Sequence, residues 1–158
     1  MPKAAIGKPA PDFDLVKAGG GRFKLSDHRG RIIVLYFYPG DDTPTCTQQA
    51  VSFSAETEAF AAAGALVVGV SPDDVPSHDR FVGKHGLTVT LLADPDREAI
   101  EAYGVWTKKT MFGRSYMGVA RSTFLIDAAG TLVAEWRKVR LKGHIDAVLD
   151  AVRKLRDA

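Results

Sequence analysis

Ile32-Ile33-Val34-Leu35-Tyr36-Phe37-Tyr38 stops at Pro39-Gly40; Cys46 to Ala63 follows without an internal Gly or Pro; Gly64 then leads into Ala65-Leu66-Val67-Val68-Gly69-Val70. The first run is apolar or aromatic throughout and β-branched at its start, the pattern of a strand buried on both faces. The middle stretch is rich in Ala, Glu and Gln and ends at a glycine suited to a C-cap, which predicts one long helix over Cys46–Ala63. The third run is a second buried strand. Strand, helix and strand in this order form a crossover with parallel strands, so the centre of the chain is α/β.

Outward from this unit, Phe13-Asp14-Leu15-Val16 and Arg22-Phe23-Lys24-Leu25 flank Ala18-Gly19-Gly20-Gly21, which predicts an N-terminal β-hairpin. No helix start or Lys-Ser/Thr pair follows these glycines, so they are a turn and not a phosphate loop. Toward the other end, Pro76–His85 reads as a helix, Val89–Leu92 as a strand and Asp96–Tyr103 as a short helix. Thr123–Ile126 and Thr131–Trp136 read as a second hairpin joined by Asp127-Ala128-Ala129-Gly130. Ile145, Val148, Leu149, Val152 and Leu155 recur every three or four residues, marking the apolar stripe of a C-terminal helix that covers one face of the sheet.

The 158 residues fit one domain, expected over 1–158, large enough to bury about 70% of its unfolded surface. With 46% hydrophobic and 25% charged residues the composition is that of a globule. A net charge of +2 gives no reason to expect nucleic acid or an anionic membrane as partner. The stretch Met1–Asp12 lacks the apolar run of a signal peptide, and no run approaches the roughly 20 residues of a membrane span, so a cytoplasmic location is expected.

One cysteine, Cys46, excludes an internal disulfide, a Cys-x-x-Cys pair and a thiolate zinc cage. A lone cysteine is often a small buried hydrophobe. Cys46, however, lies just after a central strand at a helix start, where open α/β folds place ligands and where N–H groups favour a thiolate. Thr45 and Gln48 fit a capping box, leaving Thr43, a turn residue before Pro44, as the hydroxyl more suited to meet a substrate. His28, His78, His85 and His144 show no metal-ligand spacing and read as solvated or capping side chains; no metal is expected. Asp41-Asp42 and Asp94-Pro95-Asp96 read as turn formers, and Lys138, Arg140 and Lys142 as a solvated loop.

The string Tyr36-Phe37-Tyr38-Pro39-Gly40-Asp41-Asp42-Thr43-Pro44-Thr45-Cys46-Thr47 resembles the active-site signature of the peroxiredoxins, in particular the bacterioferritin comigratory protein or Q subfamily. Ser26-Asp27, Val70-Ser71-Pro72-Asp73, Ser77-His78-Asp79-Arg80-Phe81 and the segment from Tyr116 to Asp127 extend the resemblance over most of the chain. It implies a thioredoxin-like fold with a central mixed β-sheet flanked by helices, and a thiol peroxidase without cofactor. Cys46 would be the peroxidatic thiolate, Thr43 the hydroxyl orienting the peroxide, Pro39 and Thr45 part of the pocket, and Arg121 the cation beside the sulfur. Such chemistry needs a thiolate, an aligned peroxide and donors for the departing oxygen.

Two departures stand out. The family usually resolves the sulfenic acid with a second cysteine at one of two places; here these hold Val51 and Val82, so regeneration falls to an external thiol: thioredoxin, glutaredoxin or a small thiol. The usual Glu is replaced by Gln49, which alters the charge around Arg121. A monomer or weak homodimer is expected. The competing reading is a redox-sensing module that forms mixed disulfides through Cys46 with little turnover; a thiol-disulfide oxidoreductase is opposed by the missing second cysteine. The segment carrying Trp106, Met111, Phe112, Tyr116 and Met117 reads equally as a pocket rim, core packing or a subunit contact.

Overall fold

The computed structural model describes residues 4–158, so residues 1–3 of the expected 1–158 span, and of the N-terminal stretch read for a leader, lie outside the described residues. A seven-stranded mixed sheet is built from β1 (Asp14–Lys17), β2 (Arg22–Lys24), β3 (Ile32–Phe37), β4 (Ala65–Ser71), β5 (Thr90–Ala93), β8 (Ser122–Ile126) and β9 (Leu132–Trp136). Their order is β2-β1-β5-β4-β3-β8-β9. Strands β3, β4 and β5 are parallel, while β1 and β8 join antiparallel on either side. The helices are α1 (Pro44–Ala55), α2 (Thr57–Ala62), α3 (Val75–His85), α4 (Glu98–Ala102) and α5 (His144–Arg156).

Every residue of β3 is buried, as the continuous apolar run requires. Period-two alternation sends Ile33, Leu35 and Phe37 into a core shared with Phe13, Ile100 and Tyr103. Val34, Tyr36 and Tyr38 point the other way, into a core with Cys46, Phe53, Phe60, Phe81 and Val148, contributed by α1, α2, α3 and α5. The Cys46 sulfur therefore belongs to the layer that holds α1, α2, α3 and α5. Gly69 of β4 admits no side chain, because a Cβ there would stand 2.7 Å from the Tyr36 ring and 2.9 Å from Leu91.

The expected single helix over Cys46–Ala63 is two helices, broken at Glu56, whose φ of −105° and ψ of 9° leave the helical region. Thr88 explains the break: its hydroxyl donates to the Ser54 carbonyl (3.1 Å) while its N–H takes Ser54 Oγ (3.0 Å), so part of the backbone that would continue the helix is bonded sideways. The helix also begins earlier than expected. Thr43 is the N-cap residue, in extended conformation, and Pro44 occupies the first turn, where its fixed φ and missing N–H fit best. The Thr45–Gln48 capping box is accordingly not formed.

The segment after Tyr103 is a two-stranded hairpin, β6 (Trp106–Met111) with β7 (Arg114–Val119), outside the main sheet. Its turn is Phe112-Gly113, both with positive φ (52° and 76°).

Candidate active site

The turn from Tyr38 to Thr43 carries the chain from the end of β3 to the start of α1, and Cys46 sits in that helix's first turn with 1% of its surface exposed. The early N–H groups of a helix have no acceptor within it and aim positive charge at such a position. From the opposite side comes Arg121, in the short link between β7 and β8. Its Nη2 donates to Cys46 Sγ at 3.2 Å, and its Nη1 donates to Gln49 Oε1. One fork thus holds the sulfur and an amide one helical turn further along. Gln49 is fully buried, and its Nε2 finds no hydrogen-bond partner among the described residues. A neutral amide accepts from the guanidinium without cancelling its charge, leaving that charge to the sulfur.

The structure thus brings Cys46 and Arg121 together. Thr43 is exposed at the N-cap, its hydroxyl donating to the Gly40 carbonyl (3.2 Å) rather than into the helix. Pro39 is half-buried in the turn, and Thr45 is exposed on the first turn of α1. Lys109 on β6 also faces this site: burial of its stem lowers its proton affinity, Arg121 lowers it further, and the Cys46 sulfur acts in the opposite sense.

Two readings from the sequence are corrected. Asp41 is more than a turn former and His78 is neither solvated nor a cap. Tyr38 Oη donates to Asp41 Oδ1 (2.6 Å), Ser77 Oγ donates to Asp41 Oδ2 (2.8 Å), and His78 Nδ1 lies 2.6 Å from the same oxygen. His78 Nε2 lies 2.8 Å from the Leu92 carbonyl. Both ring nitrogens therefore face acceptors, an arrangement satisfied fully by an imidazolium beside a carboxylate. Burial works against the charge on His78, but Asp41 and the Leu92 carbonyl outweigh it and raise its proton affinity. Burial likewise opposes ionised Asp41, and the bonds from His78, Tyr38 and Ser77 overcome it, holding the carboxyl below its usual range. Asp73 closes the cluster, accepting from the Asp41 N–H (2.8 Å) and from Ser71 Oγ (2.7 Å). A latch of charge and hydrogen bonds thus ties the turn before Cys46 to α3.

Asp41, Asp73 and His78 could in principle offer three metal ligands. Their oxygens and Nδ1 are instead engaged with one another and with Tyr38, Ser71 and Ser77, so the arrangement is explained by hydrogen bonding alone. His144 is likewise buried rather than solvated. Its Nε2 meets Thr123 Oγ1 at 2.8 Å, its ring packs edge-on against Phe53 and Trp136, and burial pulls its pKa down to about 4. Asp42, by contrast, pairs on the surface with Lys84 (2.7 Å) and His85 (2.8 Å). Asp94 is the turn former expected of it, accepting from the Glu98 and Ile100 N–H groups. Among the described residues, no helix is long and apolar enough to cross a membrane.

Residues 6–135 match the AhpC/TSA family. Over 150 residues the chain is 47% identical to peroxiredoxin Bcp of Bacillus subtilis, covering 95% of this chain and 96% of that protein. Among solved structures, peroxiredoxin Q of Xanthomonas campestris superposes with a TM-score of 0.90 at 41% identity, covering 97% of this chain and 98% of that one. The X. campestris bacterioferritin comigratory protein, studied for its alkyl peroxide reduction activity through trapped intermediate/ligand complexes, matches with a TM-score of 0.89 at 40% identity, covering 98% and 99% of the two chains.

Proposed function

The chain belongs to the AhpC/TSA family and is a thiol peroxidase of the peroxiredoxin type; from that premise we propose that Cys46 is its reacting sulfur, with Arg121 and Thr43 as the groups that serve it. The observation that carries the assignment is the 3.2 Å bond from Arg121 Nη2 to Cys46 Sγ. A permanently charged five-donor fork at a buried sulfur stands ready to bond peroxide oxygens.

In the proposed reaction the Cys46 thiolate attacks one oxygen of the peroxide in line. The S–O bond forms as the O–O bond breaks, and the departing oxygen leaves as an alkoxide or hydroxide that takes a proton to give alcohol or water. Arg121 stabilises the growing charge, the Thr43 hydroxyl exchanges its bond to Gly40 for one to the peroxide, and Pro39 and Thr45 border the approach. Gln49 holds the fork in place. An outside thiol then attacks the sulfenic acid sulfur, water leaves, and a second thiol releases Cys46 from the mixed disulfide. Peroxide and a thiol reductant are the reaction's two partners; a thioredoxin-like or glutaredoxin-like protein is the proposed reductant. The proposal takes residues 1–158 as a single domain, since the main sheet draws its strands from β1 through β9.

Peroxide loss with dithiothreitol as reductant tests this reading. Cys46→Ser should abolish turnover, and Arg121→Ala should lower the rate by about 10²–10³-fold, the loss typical of one oxyanion donor. Undiminished activity in Cys46→Ser would refute the assignment. A single stoichiometric burst without further turnover would favour the redox-sensing module instead.

A further inference from the structure

The charge of the chain is not evenly spread. Val105–Ile126 and Trp136–His144 together carry eight of its 21 cations (Lys108, Lys109, Arg114, Arg121, Arg137, Lys138, Arg140 and Lys142) and none of its 19 carboxylates. The two segments meet at the site, where the Val139 N–H donates to the Arg121 carbonyl at 2.9 Å. A net charge of +2 for the whole chain thus conceals a cationic surface on the Arg121 side of the reacting sulfur, within which Arg137 is paired with Glu135 at 3.1 Å.

The β6–β7 hairpin adds apolar area to this surface. Cross-strand partners share a face, so Lys109, paired with Tyr116, stands on the same face as Met111 and Arg114. β7 ends at Val119, two residues before Arg121, which places the hairpin beside the site, and Lys109 on this face senses both Cys46 and Arg121. Met111 is 55% exposed and Tyr116 45%, while Phe112 at the tip is 97% exposed. Phe112 is also the residue least expected in its place. A two-residue turn with both φ positive favours Asn or Gly first, and a bulky side chain there is strained. Placed in the left-handed region and almost wholly in solvent, Phe112 contributes nothing visible to the chain's own stability. Such an outlier is explained by something it meets.

We propose that this hairpin face and the adjoining loop from Arg137 to Lys142 form the docking surface for a protein electron donor, a dithiol protein whose reactive pair is rimmed by carboxylates and apolar residues. The proposal rests on the peroxidase reading above. With a single cysteine in the chain, regeneration must bring a foreign sulfur to Cys46, and a protein carrying it to the Arg121 side of the site meets this cationic surface. The donor's first thiolate attacks the Cys46 sulfenic sulfur, giving a mixed disulfide and water. Its second thiolate then attacks the donor sulfur of that bond, leaving the donor oxidised by two electrons and Cys46 as thiolate. Cations around the rim accelerate encounter with an acidic partner, and exposed aromatic and Met side chains supply the anchors.

Arg114→Glu/Arg140→Glu and Phe112→Ser, which leave Cys46, Arg121, Thr43 and Lys109 intact, test the surface. Peroxide turnover driven by dithiothreitol should match the unaltered protein for each. Turnover driven by a bacterial thioredoxin should lose roughly tenfold or more in kcat/KM for the charge-reversed protein at low salt, the deficit narrowing above about 0.1 M salt. Phe112→Ser should lose efficiency at any salt. Normal dithiothreitol activity with unchanged thioredoxin efficiency overturns the docking surface while leaving the peroxidase intact; loss of dithiothreitol activity in the unaltered protein would instead strike the peroxidase reading itself. An equal loss with mercaptoethanesulfonate, a small anionic thiol, would assign the cations to thiol charge and overturn the proposal. So would a dimer in sedimentation, or binding to phosphatidylglycerol vesicles, that Phe112→Ser abolishes without changing thioredoxin efficiency.

Discussion

Replacing His78 by Leu tests whether the Asp41–His78 latch holds the turn that precedes Cys46. The substitution leaves Asp41, whose side chain is 4% exposed, as a carboxylate without its cation, and it strips the Leu92 carbonyl of its donor. Removing one partner of a buried pair costs about 3–5 kcal/mol. Counted bond by bond, loss of the charged hydrogen bond contributes roughly 1.5–3 kcal/mol and the unpaired carbonyl about 1–3 kcal/mol, which agrees. For a domain of this size each kcal/mol lowers Tm by about 2–4 °C, so the variant should melt roughly 6–20 °C below the parent near neutral pH. Asp41→Asn in the same background should recover part of the loss, because the orphaned charge disappears. The pH dependence adds a second signature. His78 binds its proton more tightly folded than unfolded, so its contribution is complete below the ordinary histidine pKa of about 6.5 and is lost as pH rises through the higher folded value. Melts followed by circular dichroism from about pH 6 to about pH 9 should show the parent losing more stability than His78→Leu. A Tm within about 3 °C of the parent, or identical alkaline slopes, would show that no ion pair is buried there.

On the acid side His144 has the opposite sign. With its folded pKa near 4, the unfolded chain takes up the proton first, so stability is lost as pH falls from about 6.5 toward 4, by up to about 3 kcal/mol. His144→Gln should flatten that limb of the melting profile, and an unchanged acid limb would contradict the assignment. Gln49→Glu places a carboxylate against the fork that holds the sulfur. Residues three apart on a helix stand roughly 5–6 Å from each other. A carboxylate there shares the Arg121 charge that the proposed reaction directs at the departing oxygen, so Gln49→Glu should lower dithiothreitol-driven peroxide turnover by roughly tenfold. Unchanged turnover would remove Gln49 from the site's electrostatics.

Strands β3 and β4 were legible because each is a short, uninterrupted apolar run, and α5 because its apolar residues recur at helical spacing. Local pattern fails where a partner distant in sequence decides the outcome. Within Cys46–Ala63 only Thr57, whose hydroxyl donates to the Phe53 carbonyl, hints at the break at Glu56; the groups that bond Ser54 sideways belong to Thr88. Hairpin β6–β7 carries no apolar alternation because neither face is fully buried, and its Phe112-Gly113 turn lacks the expected first residue. Cys46 and Arg121 lie 75 positions apart, and it was resemblance, not spacing, that paired them. The latch shows the limit most clearly. Asp41 stands in a turn signal and His78 in a polar stretch of helix, each with an ordinary local role, and only the placement of α3 against the end of β3 makes them a buried pair. One trace of it was present: His78 precedes Phe81 by three residues, so both lie on one face of α3, and Phe81 is a core residue. A histidine on the apolar face of an amphipathic helix has to find polar partners inside the fold, and the carboxylate of the turn leading to the only cysteine is the partner it finds.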